Sequence, residues 1–270
     1  MKTLIHVWTH EFNIDSHHLN KYNHLGEKNF YFGIGDLIRS TIKLYYLARK
    51  LNFNLYVDLQ LHPISQFLSL PFNPFSSLVK ENKDNIDYVC YGAVEDYVNQ
   101  NPPNKIMYIL TNDFYDGEID EDCRQFIKSL ILPTTEMQEY IDFVTNNLPF
   151  ETYNILHVRL GDNYFHHNNE IPDFSEIKKS ISLHDNSQDL LITDTPLLKK
   201  HLFLNDNIFS LNTLICHLGL EKDPNKIRDT LLDLFLMIRC KKIKTYCKIH
   251  NVSGFVKWIS LIYNIPLLIL

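Results

Sequence analysis

Short apolar, β-branched runs alternate along this chain with longer stretches of helical period. In the first half, residues 3–8, 53–57, 86–91 and 105–110 read as strands. Between the first two, Leu37, Ile38, Ile42, Tyr45, Leu47 and Leu51 trace one broad stripe, which predicts a helix over 37–51 stopped by Asn52. Helices are predicted over 123–131 and 134–147, and Leu148-Pro149-Phe150 breaks the second. That break predicts a domain boundary, with domains 1–150 and 151–270. The second half repeats the alternation. Strands fall at 154–159, 189–193, 208–211, 243–247 and 266–270, with helices at 174–181, 196–201, 225–240 and 252–262. Strand–helix alternation of this kind predicts an α/β fold of two Rossmann-like domains, each around a parallel sheet, facing a cleft. No short repeat is evident.

Composition narrows the classes of function. The chain has 270 residues, 45% hydrophobic and 21% charged, which suits a packed globular protein. Its net charge of −6 argues against a nucleic-acid partner, which needs a basic surface. A small anionic ligand needs only local positive groups. Five cysteines without a C-x-x-C pair predict reduced thiols and a cytoplasmic location. No apolar run reaches the length of a membrane span, and the opening residues do not read as a signal peptide.

Candidate chemistry gathers at the ends of the second-half strands. Ile155-Leu156-His157-Val158-Arg159-Leu160-Gly161-Asp162 is a strand running into a Gly-containing loop. In an open α/β sheet ligands bind beyond the carboxyl ends of the strands, so Arg159 and Asp162 belong there. An Arg on a strand end can grip phosphate with paired hydrogen bonds. Thr193-Asp194 ends the next strand, Asp233 lies on the helix before the fourth, and Ser253-Gly254-Phe255 opens the helix after it. A helix start presents unpaired N–H groups and partial positive charge, which suits a diphosphate held from its other side by Arg159. In the first half, Phe32-Gly33-Ile34-Gly35-Asp36 lacks the third glycine of a dinucleotide site. His10, His17, His18 and His24 have no metal-ligand spacing, and Asp120-Glu121-Asp122 reads as charge ahead of a helix, so no metal site is assigned.

His157-Val158-Arg159-Leu160-Gly161-Asp162 resembles the H-x-R-x-G-D motif of the GDP-fucose-dependent fucosyltransferases, the superfamily of alpha-1,2-, alpha-1,6- and protein O-fucosyltransferases. The segments 191–195, 229–237 with 253–258, and 32–39 resemble its other motifs. The resemblance implies a GT-B fold and an inverting, metal-independent transfer of fucose from GDP-fucose to a glycan acceptor, with no cofactor. It implies that Arg159 binds the β-phosphate, that His157 and Asp233 lie near guanine, and that Asp194 belongs to the donor site. Ser253, Gly254 and Phe255 would contact phosphate. Gly33, Gly35 and Asp36 would approach the sugar or diphosphate from the N-terminal, acceptor-side domain.

The chain departs from the family pattern at two places. Leu160 stands where many relatives carry a second Arg, and the Ser-rich phosphate loop is reduced to Asn251-Val252-Ser253-Gly254. These departures leave open another nucleotide sugar as donor, or a nucleotide-binding module without catalysis. An inverting transfer also needs a base for the acceptor hydroxyl. Asp162, His166, His167 and Glu170 all follow the motif, and Asp162 and His167 are taken forward.

Overall fold

The computed structural model describes residues 2–9, 33–81, 86–89, 92–103, 105–161, 174–183, 188–195, 198–199, 208–213, 216, 218, 221–248 and 252–270. Asp162, His166, His167, Glu170 and the four histidines of residues 10–24 lie outside them, as does most of the helix expected at 196–201. The chain forms two compact units, Met1–Thr134 with Leu218–Lys222, and Thr135–His217 with Asp223–Leu270.

The first unit is built on a four-stranded parallel sheet in the order β2-β1-β4-β3. Its strands are β1 (Thr3–Thr9), β2 (Asn54–Leu61), β3 (Asp87–Val89) and β4 (Ile106–Thr111). Every residue of β1 is buried, as expected of a central strand covered on both faces. Helix α1 (Ile34–Leu51) begins three residues earlier than its apolar stripe predicts. The cause is a cap: Asp36 N–H donates to Gly33 O at 2.9 Å, and Gly33 N–H donates back to Asp36 Oδ2 at 3.2 Å. At its far end Asn52 takes the left-handed conformation, φ 54°, and stops the helix as the sequence indicates. Leu44, Leu47 and Ala48 of α1 pack with Leu4, Met107 and Ile109 of the sheet and with Val94 and Val98 of α3 (Val94–Gln100).

Helix α3 and the short α2 (Ser76–Glu81) have no counterpart in the sequence reading. Both are at most two turns long, too short to show a period. Helices α4 (Glu121–Leu130) and α5 (Thr135–Asn146) match their expected places. Asp120 caps α4 by accepting the Cys123 N–H at 2.8 Å, and it pairs with Arg49 in the last turn of α1.

The second unit carries a five-stranded parallel sheet in the order β7-β6-β5-β8-β9. The strands are β5 (Asn154–Arg159), β6 (Asp189–Thr193), β7 (Ile208–Ser210), β8 (Ile243–Cys247) and β9 (Leu267–Ile269). The chain moves outward from β5 to β7, then returns to lay β8 on the other side of β5. Right-handed crossovers therefore put α6 (Ser175–Ser182) on one face and α8 (Gly254–Tyr263) on the other. Strand alternation agrees: Leu156, Val158 and Leu160 pack with Ile177 and Ile181 of α6.

Helix α5 belongs to this second unit, so the division falls at Thr134 and Thr135, ahead of the Leu148-Pro149-Phe150 break. Side-chain contacts to α7 (Pro224–Arg239) hold it there. Tyr140 donates its hydroxyl to Asp229 at 3.2 Å and lies under the Arg228 guanidinium at 4.3 Å, while Arg239 reaches Asp142 at 2.8 Å. Helix–helix packing thus overrides the local chain break.

At the amino edge of the second sheet, Lys244 on β8 reaches over β5 to Asp189 on β6 at 2.8 Å, both side chains almost fully buried. Asn154 donates to the other oxygen of the same carboxylate at 3.2 Å. Lys244→Met should cost about 3–5 kcal/mol by stranding a buried carboxylate. The Lys244→Met, Asp189→Leu double variant should recover most of that loss in urea unfolding. Equal losses in the single and double variants would show that the pair is not the origin of the effect.

Candidate functional site

In the second sheet the strand order reverses between β5 and β8, so the topology opens a crevice at their carboxyl ends. Arg159 is the last residue of β5 and lies opposite Cys247, the last residue of β8. Strand alternation turns its side chain away from the face on which Leu156, Val158 and Leu160 pack against α6. Its Nη1 donates to Ser253 Oγ at 3.4 Å, and its Nε lies 4.0 Å from Asp194 Oδ2.

Asp194 sits just after β6, and both of its oxygens are engaged. Leu160 N–H donates to Oδ1 and Gly161 N–H to Oδ2, each at 3.0 Å. The Thr195 hydroxyl adds a third donor at 3.1 Å. Asp194 therefore fixes the loop after β5 and with it the root of Arg159. Gly161 has φ +103°, a conformation that side chains rarely adopt, so the turn needs glycine there.

His157 is buried on β5, and its Nδ1 meets the Thr245 hydroxyl of β8 at 3.0 Å. Burial, with the Arg159 charge beside it, holds its pKa down at about 3. It is a neutral, poorly basic ring at working pH. Ser253 is the buried residue ahead of α8. Gly254 opens the helix, and a Cβ there would meet nothing within 4 Å, so the helix start is open to an approaching group. Phe255 is half-buried in the same first turn.

Arg159, Asp194 and Ser253 thus lie together at this strand end. Asp233 belongs to a different charged group. It is half-buried on α7, where burial pushes its pKa up to about 7, opposed by Lys199 and reinforced by Asp229. The Lys199 ammonium donates to Thr213 Oγ1 at 2.9 Å and to Leu211 O at 3.1 Å. Neither Lys199 nor Thr245 stands out in the sequence, because only the fold sets them near Asp233 and His157.

In the first unit, Gly33 and Gly35 form the start of α1 rather than a free glycine loop, and Asp36 is occupied by the Gly33 N–H and by Arg39 at 3.1 Å. Asp120 is likewise engaged as a helix cap. Among the described residues no three His, Cys, Asp or Glu side chains gather as a metal site, and no helix is long and apolar enough to cross a membrane.

Fold and geometry define a doubly wound α/β protein with a cationic, N–H-rich strand end at its switch point. The structure is similar to NodZ alpha-1,6-fucosyltransferase soaked with GDP-fucose, with 14% identity, TM-score 0.51, and coverage of 97% of this chain and 92% of that one. Fucosyltransferase NodZ from Bradyrhizobium gives a TM-score of 0.52 at the same identity and coverage. A mutant of Arabidopsis thaliana FUT1 in complex with GDP is similar at 10% identity and TM-score 0.53, over 98% of this chain and 69% of that one. These likenesses establish the GT-B fold. No protein-family model and no curated protein sequence matches the chain.

The buried ionisable groups make stability depend on pH in two opposite ways. His157 and His6, the latter also held at about pKa 3 by burial, take up no proton when folded but do when unfolded. Their stabilisation is present above the unfolded value near 6.5 and is lost as pH falls towards 3, at up to about 1.4 kcal/mol per pH unit for each. Urea midpoints between pH 4 and pH 7 should rise with pH, and a flat profile would refute this. Asp233 has the opposite sign: its raised pKa favours the fold below the unfolded value near 4, an advantage lost as pH rises through 7. Asp233→Asn should therefore raise Tm by about 3 °C or more at pH 8 relative to its effect at pH 4.

Proposed function

We propose that this protein is an inverting, metal-independent fucosyltransferase that moves fucose from GDP-fucose to a glycan hydroxyl. The observation that carries this reading is Arg159 at the switch point, set between Ser253 at the start of α8 and the Asp194-fixed loop, in a fold shared with NodZ. In the reaction the acceptor oxygen attacks the anomeric carbon of fucose. The bond from that carbon to the β-phosphate oxygen breaks, and its electron pair leaves with GDP. Arg159 and the N–H groups at the start of α8 offset the charge that grows on the departing diphosphate. The acceptor proton passes to a base, for which Asp162 and His167 remain the candidates. His157, with its pKa near 3, is too weak a base for that task. Asp233, when ionised, can accept the N–H groups of guanine.

The test is titration of the intact chain with GDP, UDP, ADP and GDP-fucose, followed by donor hydrolysis and transfer assays. GDP should bind more tightly than UDP or ADP, and EDTA should leave transfer unchanged. Arg159→Ala should weaken GDP binding at least tenfold, since hydrogen bonds to charged groups contribute roughly 1.5–3 kcal/mol. Preference for UDP would point to another nucleotide sugar. Tight GDP-fucose binding without hydrolysis or transfer would point to a binding module. Unchanged GDP affinity in Arg159→Ala would overturn the placement of the site.

A further inference from the structure

We propose that the first unit binds an extended, uncharged segment of a partner polypeptide, which adds as a further strand along the outer edge of β2 and seats a large apolar side chain in the cleft beside it. Asn54 N–H donates to Lys2 O at 2.9 Å, and the parallel register sets Leu55 against Leu4 and Val57 against His6. Alternate residues of β2 therefore turn their main-chain groups towards β1, while Leu55 and Val57 turn theirs outwards. Among the described residues no hydrogen bond reaches the N–H or C=O of either. Val57 is only 2% exposed. Main-chain groups of so buried a residue are seldom left without a partner, because burying them unpaired is costly.

This edge borders a cleft of about 400 Å³, lined by Leu70 and Phe72 of the segment after β2, by Phe126 and Leu130 of α4, and by Leu132. No charged residue lines it. Its two serines, Ser69 and Ser129, donate their hydroxyls to Pro133 O and Phe126 O. Phe72 is 85% exposed, Leu132 51% and Leu70 49%, so the apolar walls run out to the surface. Edge strands are ordinarily protected by shortness, lysine or proline. At the other edge of this sheet β3 has three residues, whereas β2 has eight and neither lysine nor proline. Its one acid, Asp58, is held by Asn73 and Ser76. An alkyl chain would cover the walls and leave the outward main-chain groups of Leu55 and Val57 unpaired. An added strand covers the walls and pairs those groups. The walls also select a lone segment over a second copy of this chain. Ser69 N–H donates to Leu132 O at 2.7 Å and joins them, so the cleft admits one extended segment rather than the broad edge of another sheet.

Fluorescence polarisation of the intact protein with a labelled, capped heptapeptide tests the assignment. The peptide alternates threonine and valine and carries phenylalanine at its centre. It should bind saturably. Its backbone N-methylated form keeps every side chain but cannot pair as a strand, and should bind about tenfold more weakly. Leu55→Pro removes an outward N–H and spares the bonds to β1, and should weaken the peptide about tenfold. Phe72→Ala changes a side chain exposed enough to leave folding untouched, and should weaken the peptide about threefold or more. Equal binding of the methylated peptide, or no saturable binding to the wild type, overturns the assignment. So does a dimer in sedimentation velocity that Phe72→Ala dissolves, which would give the cleft to a second copy. Stoichiometric uptake of palmitate where the peptide does not bind would give it to an alkyl chain and overturn the assignment equally.

Discussion

The second unit depends on where the Asp194 carboxylate is engaged. Two backbone N–H groups from the loop after β5 converge on it, and burial of either group without a partner would be costly. These bonds close the turn at Gly161 and leave Arg159 rooted at the strand end. Strand alternation does the rest: Leu160 goes into the core with α6, and Arg159 goes towards Ser253. One carboxylate thus converts a strand terminus into a fixed cationic edge.

The first unit uses related devices with different residues. Its first strand carries buried His6, whose Nδ1 meets the Thr41 hydroxyl at 2.8 Å, as His157 meets Thr245 in the second unit. After β4, Asp113 accepts the N–H groups of Gly92 at 3.0 Å and Val94 at 3.3 Å, much as Asp194 serves its own neighbour loop. In both units a neutral histidine fills the core of the first strand and a carboxylate ties down the carboxyl edge. No sequence repeat announces this, because the partners come from different elements: Thr41 from a helix, Thr245 from a strand.

The long, strongly patterned elements were legible. Strands β5, β6 and β8 fall where their apolar runs end, and α1 stops at Asn52 as read. The start of α1 was not legible from its stripe, since a backbone cap with Asp36 extends the helix past the apolar residues. Helices α2 and α3 are too short to carry a period. The domain boundary was read from a proline break, but contacts between α5 and α7 decide where the chain divides.

At the site, the sequence by itself determined the kinds of group available: an Arg on a strand end, a Thr-Asp at the next, and a Ser-Gly helix start. Local pattern suffices for these, because strand ends and helix starts are set by residues close in the chain. Only the tertiary structure decided which groups meet. It gave Asp194 to the backbone, buried His157 against Thr245, tied Lys199 to Thr213, and set Asp233 near that lysine. Those pairings depend on strand order and register, which join residues far apart in sequence and leave no local trace.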